Sequence, residues 1–365
     1  MVKISETKNN ILLNLWKDRI VPSFSRDWDL LAVIILLSLS LRLYFAFSFH
    51  SEISFGFEND FLNIAKSGMI GPEQAPLYIL FLRMLLFVFR DGAMTAGYAI
   101  QGVINSICVL LIYFIAVRIF NRKTALVAAS LGAIYPNFIL VNLSLTPGSF
   151  EIFIVLVLIT AALSNISALA RAVISSVLVG IAVMLDPIMA FLIPGTLLAM
   201  KKRLAFFLIL AGILLPLTVR NSIVEKISVP VYRSEAYELD FSKFTPTKLK
   251  GRWNTVEQIY NNASRITRKE WAISGEEGTE QETNSTYTAA YAYTVLMVLG
   301  LIGFARYYRR EERIILLPVV LYTVLLIILT AFAKRYRIAL EPLFVLYASA
   351  VLCRYKTAAP GDNSP

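Results

Sequence analysis

Cysteine, histidine and charge are all scarce in this chain, and each scarcity excludes something. Its 365 residues hold two cysteines, Cys108 and Cys353, both set within apolar runs. That excludes a disulfide framework and makes each thiol an ordinary small core residue. The single histidine, His50, excludes a Cys/His metal set, and a lone imidazole at a membrane boundary is more often interfacial than catalytic. No P-loop and no serine-nucleophile motif is present. No heptad array, solenoid period or low-complexity tract is present either. Charged residues make up only 16% against 57% hydrophobic, which takes the chain out of the soluble globular class. The net charge of +10 is not a nucleic-acid footprint. The basic residues sit in short clusters between apolar segments, where the positive-inside rule puts them.

What is abundant is long apolar sequence. Mean hydropathy is +0.65, and several runs can cross ~30 Å of hydrocarbon as helices. The expected fold is an all-α polytopic membrane protein with about ten transmembrane helices. Its expected spans are 30–49, 96–118, 124–143, 148–164, two short ones within 172–200, then 204–217, 289–305, 314–332 and 338–353. The two short spans turn at Asp186-Pro187, because a residue before proline is pushed out of helical geometry. Charge supports that division, since it puts Lys201-Lys202-Arg203, Arg306, Arg309-Arg310 and Arg354 on the cytoplasmic side. The basic stretch before residue 30 contains Ile11-Leu12-Leu13-Asn14-Leu15-Trp16, a short amphipathic surface helix rather than a cleavable signal. Both termini are therefore expected in the cytoplasm, with a frayed tail from Lys356.

Three regions follow. Residues 1–219 form an N-terminal transmembrane region whose first outer loop, 50–95, holds an interfacial or re-entrant helix over Leu77–Phe89, too short to span. Residues 220–288 form a small external lobe, polar and balanced in charge, too long to be a structureless loop. Residues 289–365 form the C-terminal transmembrane region.

The charges within this frame point to chemistry. Glu58 and Asp60 lie at the lip of the bundle, where carboxylates suggest a site for protons, ions or a polar substrate; singly, they are also compatible with solvated loop charges. Lys334-Arg335-Tyr336-Arg337 puts basic residues on the outer side, against the usual bias, which suits an anionic ligand or a phospholipid headgroup. Arginine clamps phosphate oxygens in a fork. Arg220 emerges on the same face; Glu151 and Asp186 lie near it, each also compatible with a capping role. Arg42, inside the first span, either snorkels outward or faces the bundle. Carboxylates and arginines gathered on one face suit binding of a phosphorylated substrate and deprotonation of a hydroxyl.

In order along the chain, these features resemble the GT-C superfamily of membrane glycosyltransferases, in the branch of protein O-mannosyltransferases and aminoarabinose transferases. The resemblance is carried by Glu58-Asn59-Asp60-Phe61 with Ala65, by Ala75-Pro76-Leu77-Tyr78, and by Gly180-Ile181-Ala182-Val183-Met184-Leu185-Asp186-Pro187. Pro216-Leu217-Thr218-Val219-Arg220-Asn221 and Arg335-Tyr336-Arg337 with Pro342 complete it. Asp186 stands where the family has arginine, and Leu217 where it has tryptophan. The resemblance implies a polyprenyl-phosphate sugar donor, and a glycan, lipid or protein acceptor whose hydroxyl is deprotonated by Glu58 or Asp60. It also implies inversion at the anomeric carbon, with the leaving phosphate held by Arg335 or Arg337, with help from Arg220. Glu151, Asp186, Tyr78 and Tyr336 would line the substrate. It implies no certain cofactor; a divalent metal is compatible but not indicated. The competing reading is a transporter or flippase of a lipid-linked or anionic substrate, which would also use a broken helix. No internal repeat supports it, and the charges lie at one face rather than the midplane.

Overall fold

The computed structural model describes residues 21–49, 57–67, 76–143, 145–164, 166–224, 295–307 and 341–354. All regular structure among them is helical. Four stretches are long and apolar enough to cross a membrane: Asp27–Ser48, Pro76–Ile119, Ala168–Leu185 and Arg203–Ile223. Shorter apolar helices run alongside them at Gly148–Leu163, Met189–Ala199, Val295–Tyr307 and Glu341–Leu352. The protein is thus a multi-pass membrane protein.

Helix α1 (Val21–Phe49) runs antiparallel to the central helix α4 (Ala93–Ile119). Two bonds fix that direction: Ser38 meets Ser106 at 3.4 Å, and the Tyr113 hydroxyl donates to Asp27 at 2.9 Å. At the Asp27 end, Arg122 pairs with the same carboxylate, which raises its guanidinium pKa further. The last described helix, α12 (Glu341–Leu352), also finishes there, its Tyr347 ring lying 5.6 Å from Phe120.

Between α1 and α4 lie α2 (Phe57–Ser67) and α3 (Pro76–Phe89). The Pro76–Ile119 stretch is apolar over 44 residues, about twice what a bilayer needs, and it folds instead of crossing straight. A 3-10 turn at Arg90–Gly92 reverses it, with Arg90 in the left-handed region at φ 46°. That conformation costs a non-glycine residue roughly 1–2 kcal/mol. Packing of α3 back onto α4 offsets it. Gly97 makes this approach possible: a Cβ there would lie 2.8 Å from Leu145 Cδ2 and 3.2 Å from Leu85 Cδ1. The short helix expected over 77–89 is therefore a hairpin arm of α4.

The expected span 124–143 is broken in two. Helix α5 (Arg122–Ile134), capped by the Asn121 side chain on the Thr124 amide, stops where Pro136 forces Tyr135 into extended geometry, ψ 120°. A short α6 (Pro136–Leu140) and a 3-10 turn (Val141–Leu143) follow. The break strands the last carbonyls of α5 inside the bundle, and Arg42 satisfies them. It is wholly buried and donates to Ala133 O and Gly132 O at 3.1 Å each, and to Ser38 O at 3.0 Å. Its charge also complements the helix C-terminus. Arg42 therefore faces the bundle and does not snorkel.

Helix α7 (Gly148–Leu163) runs parallel to α4, and α8 (Ala168–Leu185) returns. As the proline rule requires, α8 ends at Asp186, φ −151° and ψ 121°. A 3-10 segment (Pro187–Phe191) and α9 (Leu192–Ala199) lead to α10 (Arg203–Val224). Ser176 bonds Phe206 O at 2.9 Å and Gly180 abuts Ile213, so α10 runs parallel to α8 and finishes at the Asp186 end. Helix α11 (Val295–Tyr307) crosses α12 closely at Gly303, where an added Cβ would meet the Tyr347 carbonyl at 2.1 Å. The expected external lobe, the expected span 314–332, the surface helix at 11–16 and the tail lie outside the described residues, as does Lys334-Arg335-Tyr336-Arg337.

Candidate active site

Helix directions bring the ends of α8 and α10 to the same side of the bundle, and the start of α7 lies beside Gln101 and Asn105 of α4. Helix α2 carries Glu58 and Asp60 in its first turn. Glu151 sits in the first turn of α7, Asp186 caps α8, Arg220 lies one turn before the end of α10, and Glu341 opens α12.

The acid-bearing helix α2 is amphipathic, and its apolar face, Phe61, Ile64 and Ala65, packs on the core. The Phe61 ring lies edge-on to Tyr78 at 5.4 Å, and Arg83 Nε donates to Ala65 O at 3.3 Å near the helix C-terminus. Tyr78 is fully buried, with Phe150 of α7 at 6.1 Å on another side. So one ring touches both the helix bearing the first-loop acids and the residue next to Glu151.

Glu151 and Asp186 are buried at 0% and 1% exposure, and neither is an isolated buried charge. Arg220 is half-buried. The expected clamp residues Arg335, Tyr336 and Arg337 are outside the described residues, and the sequence places them four to six positions before Glu341.

Sequence reasoning passed over a layer of amides inside the apolar spans. Gln101 and Asn105, one turn apart on α4, point to the start of α7: Gln101 Nε2 donates to Thr146 O at 2.9 Å, and Asn105 Nδ2 to Ser149 Oγ at 2.9 Å. Asn137, placed inward by the Pro136 break, donates to both carboxylate oxygens of Glu341 at 2.8 and 3.0 Å. Glu341 itself was passed over, although an acid opening an apolar span was a signal. Among the described residues no group of three or more His, Cys, Asp or Glu side chains is placed to hold a metal ion.

An all-helical membrane bundle with a folded-back first-loop hairpin and polar groups buried at the starts of α7 and α12 is the class the geometry defines. Residues 73–220, from just before α3 to Arg220, match a family model described as dolichyl-phosphate-mannose-protein mannosyltransferase. The fold is similar to that of the oligosaccharyltransferase of Archaeoglobus fulgidus. Its structure with a tethered acceptor peptide aligns at TM-score 0.54 and 14% identity, over 91% of this chain and 50% of that one. The apo form aligns at TM-score 0.53 and 16% identity, over 91% and 51%. The complex with an inhibitory peptide and a dolichol-phosphate aligns at 0.52 and 15%, over 91% and 50%. This chain thus spans about half the length of that protein. No curated protein matches the sequence. The family-model match and the shared fold bear out the resemblance to GT-C membrane glycosyltransferases.

Proposed function

We propose that the protein is an inverting glycosyltransferase that moves a monosaccharide from a polyprenyl-phosphate donor to a hydroxyl acceptor at the outer face of the membrane. The observation that carries this is the family-model match over 73–220, which covers the hairpin arm, Glu151, Asp186 and Arg220. The basic clusters of the sequence support a cytoplasmic position for the Asp27 end and both termini, and so an outward position for the site.

In this mechanism the isoprenoid tail lies in the bilayer beside the bundle and the phosphosugar enters the polar end. A carboxylate of Glu58 or Asp60 takes the proton of the acceptor hydroxyl. The acceptor oxygen forms a bond to the anomeric carbon as the bond to the phosphate oxygen breaks, and the electron pair leaves with polyprenyl phosphate. Arg220, Arg335 and Arg337 neutralise that phosphate, while Glu151, Asp186 and Tyr336 orient the sugar and acceptor hydroxyls.

The test is the product's stereochemistry. Purified protein given a polyprenyl-phosphate monosaccharide and a hydroxyl acceptor should release polyprenyl phosphate and form a glycoside of opposite anomeric configuration, read by NMR coupling constants. Retention of configuration contradicts the mechanism. Movement of the intact lipid-linked sugar across a vesicle membrane, with no sugar released, favours a flippase.

A further inference from the structure

Gln101 is a primary amide held at zero exposure inside a 27-residue apolar helix. It donates from one nitrogen to two different segments: to the Tyr78 hydroxyl of α3 at 3.2 Å and to the Thr146 carbonyl ahead of α7 at 2.9 Å. Its Oε1 is buried with no hydrogen-bond partner among the described residues. An apolar side chain of the same shape would fill the space without that unsatisfied acceptor, so packing alone does not account for an amide here. What the amide adds is direction, because it fixes where Tyr78 stands relative to the start of α7.

Tyr78 passes that placement on. Its ring carries Phe61 of α2 on one edge and Phe150 of α7 on another. Gly97, one turn before Gln101 on the same helix, lets Leu85 of α3 and Leu145 close in on α4 together. The hairpin arm and the segment leading to Glu151 are thus clamped to one face of α4, by shape at Gly97 and by hydrogen bonds at Gln101. Helix α2 is tied to the hairpin arm a second time where Arg83 Nε donates to Ala65 O.

We propose that Gln101 and Tyr78 are positioning residues. Through their hydrogen bond they set helix α2, with Glu58 and Asp60, at a fixed place relative to the N-terminus of α7, with Glu151. The inference rests on the glycosyltransferase reading for its functional consequence, though not for its structural one. Neither residue touches substrate in this role. Reacting groups held a fraction of an ångström out of place cost rate while leaving donor affinity largely intact.

The experiment uses the full chain in nanodiscs with Gln101→Leu, Tyr78→Phe and the double variant. Amide hydrogen exchange is followed separately in α2 and in α4, and transfer kinetics are measured with a polyprenyl-phosphate sugar. Tyr78→Phe removes only one oxygen, so it keeps the test valid if Gln101→Leu folds poorly. The expected result is about tenfold faster exchange in α2 with α4 unchanged, and about a tenfold lower kcat with donor KM within twofold. The double variant should be no worse than the worse single one. Unchanged α2 exchange in both single variants overturns the proposal, as does loosened α2 with full kcat, or loss that is uniform across α2 and α4. If the wild type transfers no sugar, the glycosyltransferase reading fails, and the exchange data still decide whether the Gln101–Tyr78 bond holds α2.

Discussion

The Asn137 side-chain amide donates to both carboxylate oxygens of Glu341, at 2.8 and 3.0 Å, joining positions 204 residues apart. Both side chains are 1% exposed. The bond ties the break after α5 to the first turn of the last described helix. Arg42 of α1 caps the same break from its other side through Gly132 O and Ala133 O. Helix α1, the broken helix and the last described helix are thereby linked by polar contacts inside the bundle, where no water competes for them.

Replacing Asn137 should therefore cost more than its volume. Asn137→Leu removes the donor facing a buried carboxylate and should destabilise by about 2–4 kcal/mol. Asn137→Asp places a second carboxylate there and should be worse. Thermal unfolding in detergent tests the order; equal losses for Leu and Asp would mean that Glu341 does not need the amide.

Arg42 makes a sharper case. Arg42→Met leaves two carbonyls of α5 without their donors, each worth about 1–3 kcal/mol in a buried setting. Arg42→Lys keeps the charge but not the fork, and should recover only part. Chemical denaturation in mixed micelles reads both. A Met variant as stable as wild type would show that the carbonyls are satisfied some other way.

Two glycines should respond in opposite directions. Gly303→Ala would drive a methyl toward the Tyr347 carbonyl, 2.1 Å from the ideal Cβ position, and must push α11 and α12 apart. Gly212 of α10 has nothing within 4 Å. Gly212→Ala should therefore be neutral or gain up to about 1 kcal/mol from helix propensity. Paired melting temperatures of the two variants decide it.

The Asp27 end serves as a control. Asp27 is buried at 2% exposure and takes hydrogen bonds from Tyr113 and Arg122. Arg122→Ala should lower stability, because it removes the cation facing a buried carboxylate, while donor KM stays within twofold, since Tyr113, which holds Asp27, lies two turns of α4 beyond Asn105, which holds the start of α7. A large rise in KM would contradict a site built without the Asp27 cluster.

Much of this was legible because proline and length act locally. The 148–164 span, observed as Gly148–Leu163, and the turn at Asp186-Pro187 follow from an apolar run and a pre-proline residue. The break at Tyr135-Pro136 obeys the same rule, yet the apolar run continues past it, so composition alone joins α5 to α6 into one span. The carbonyls that Arg42 caps are consequences of that break, so the partner of Arg42 could not be read before the break was. Gln101 and Asn105 are spaced one turn apart within an apolar run, a pattern that marks an inward face. Their partners Tyr78, Thr146 and Ser149 depend on how the hairpin folds, which no local signal encodes. Helix α2 has the spacing of an amphipathic helix at Phe61, Ile64 and Ala65, but it is short enough to pass for a loop.

The most direct measurement is release of labelled sugar from a polyprenyl-phosphate donor by wild type and by the Glu58→Gln/Asp60→Asn double variant, both purified in the same lipid. Loss of the base should lower the rate by a factor of about 10² to 10⁴, with the folded yield unchanged. Transfer by the double variant at the wild-type rate would contradict the assignment of proton removal to the first-loop acids. No release by either, with every donor sugar tried, would contradict sugar transfer itself.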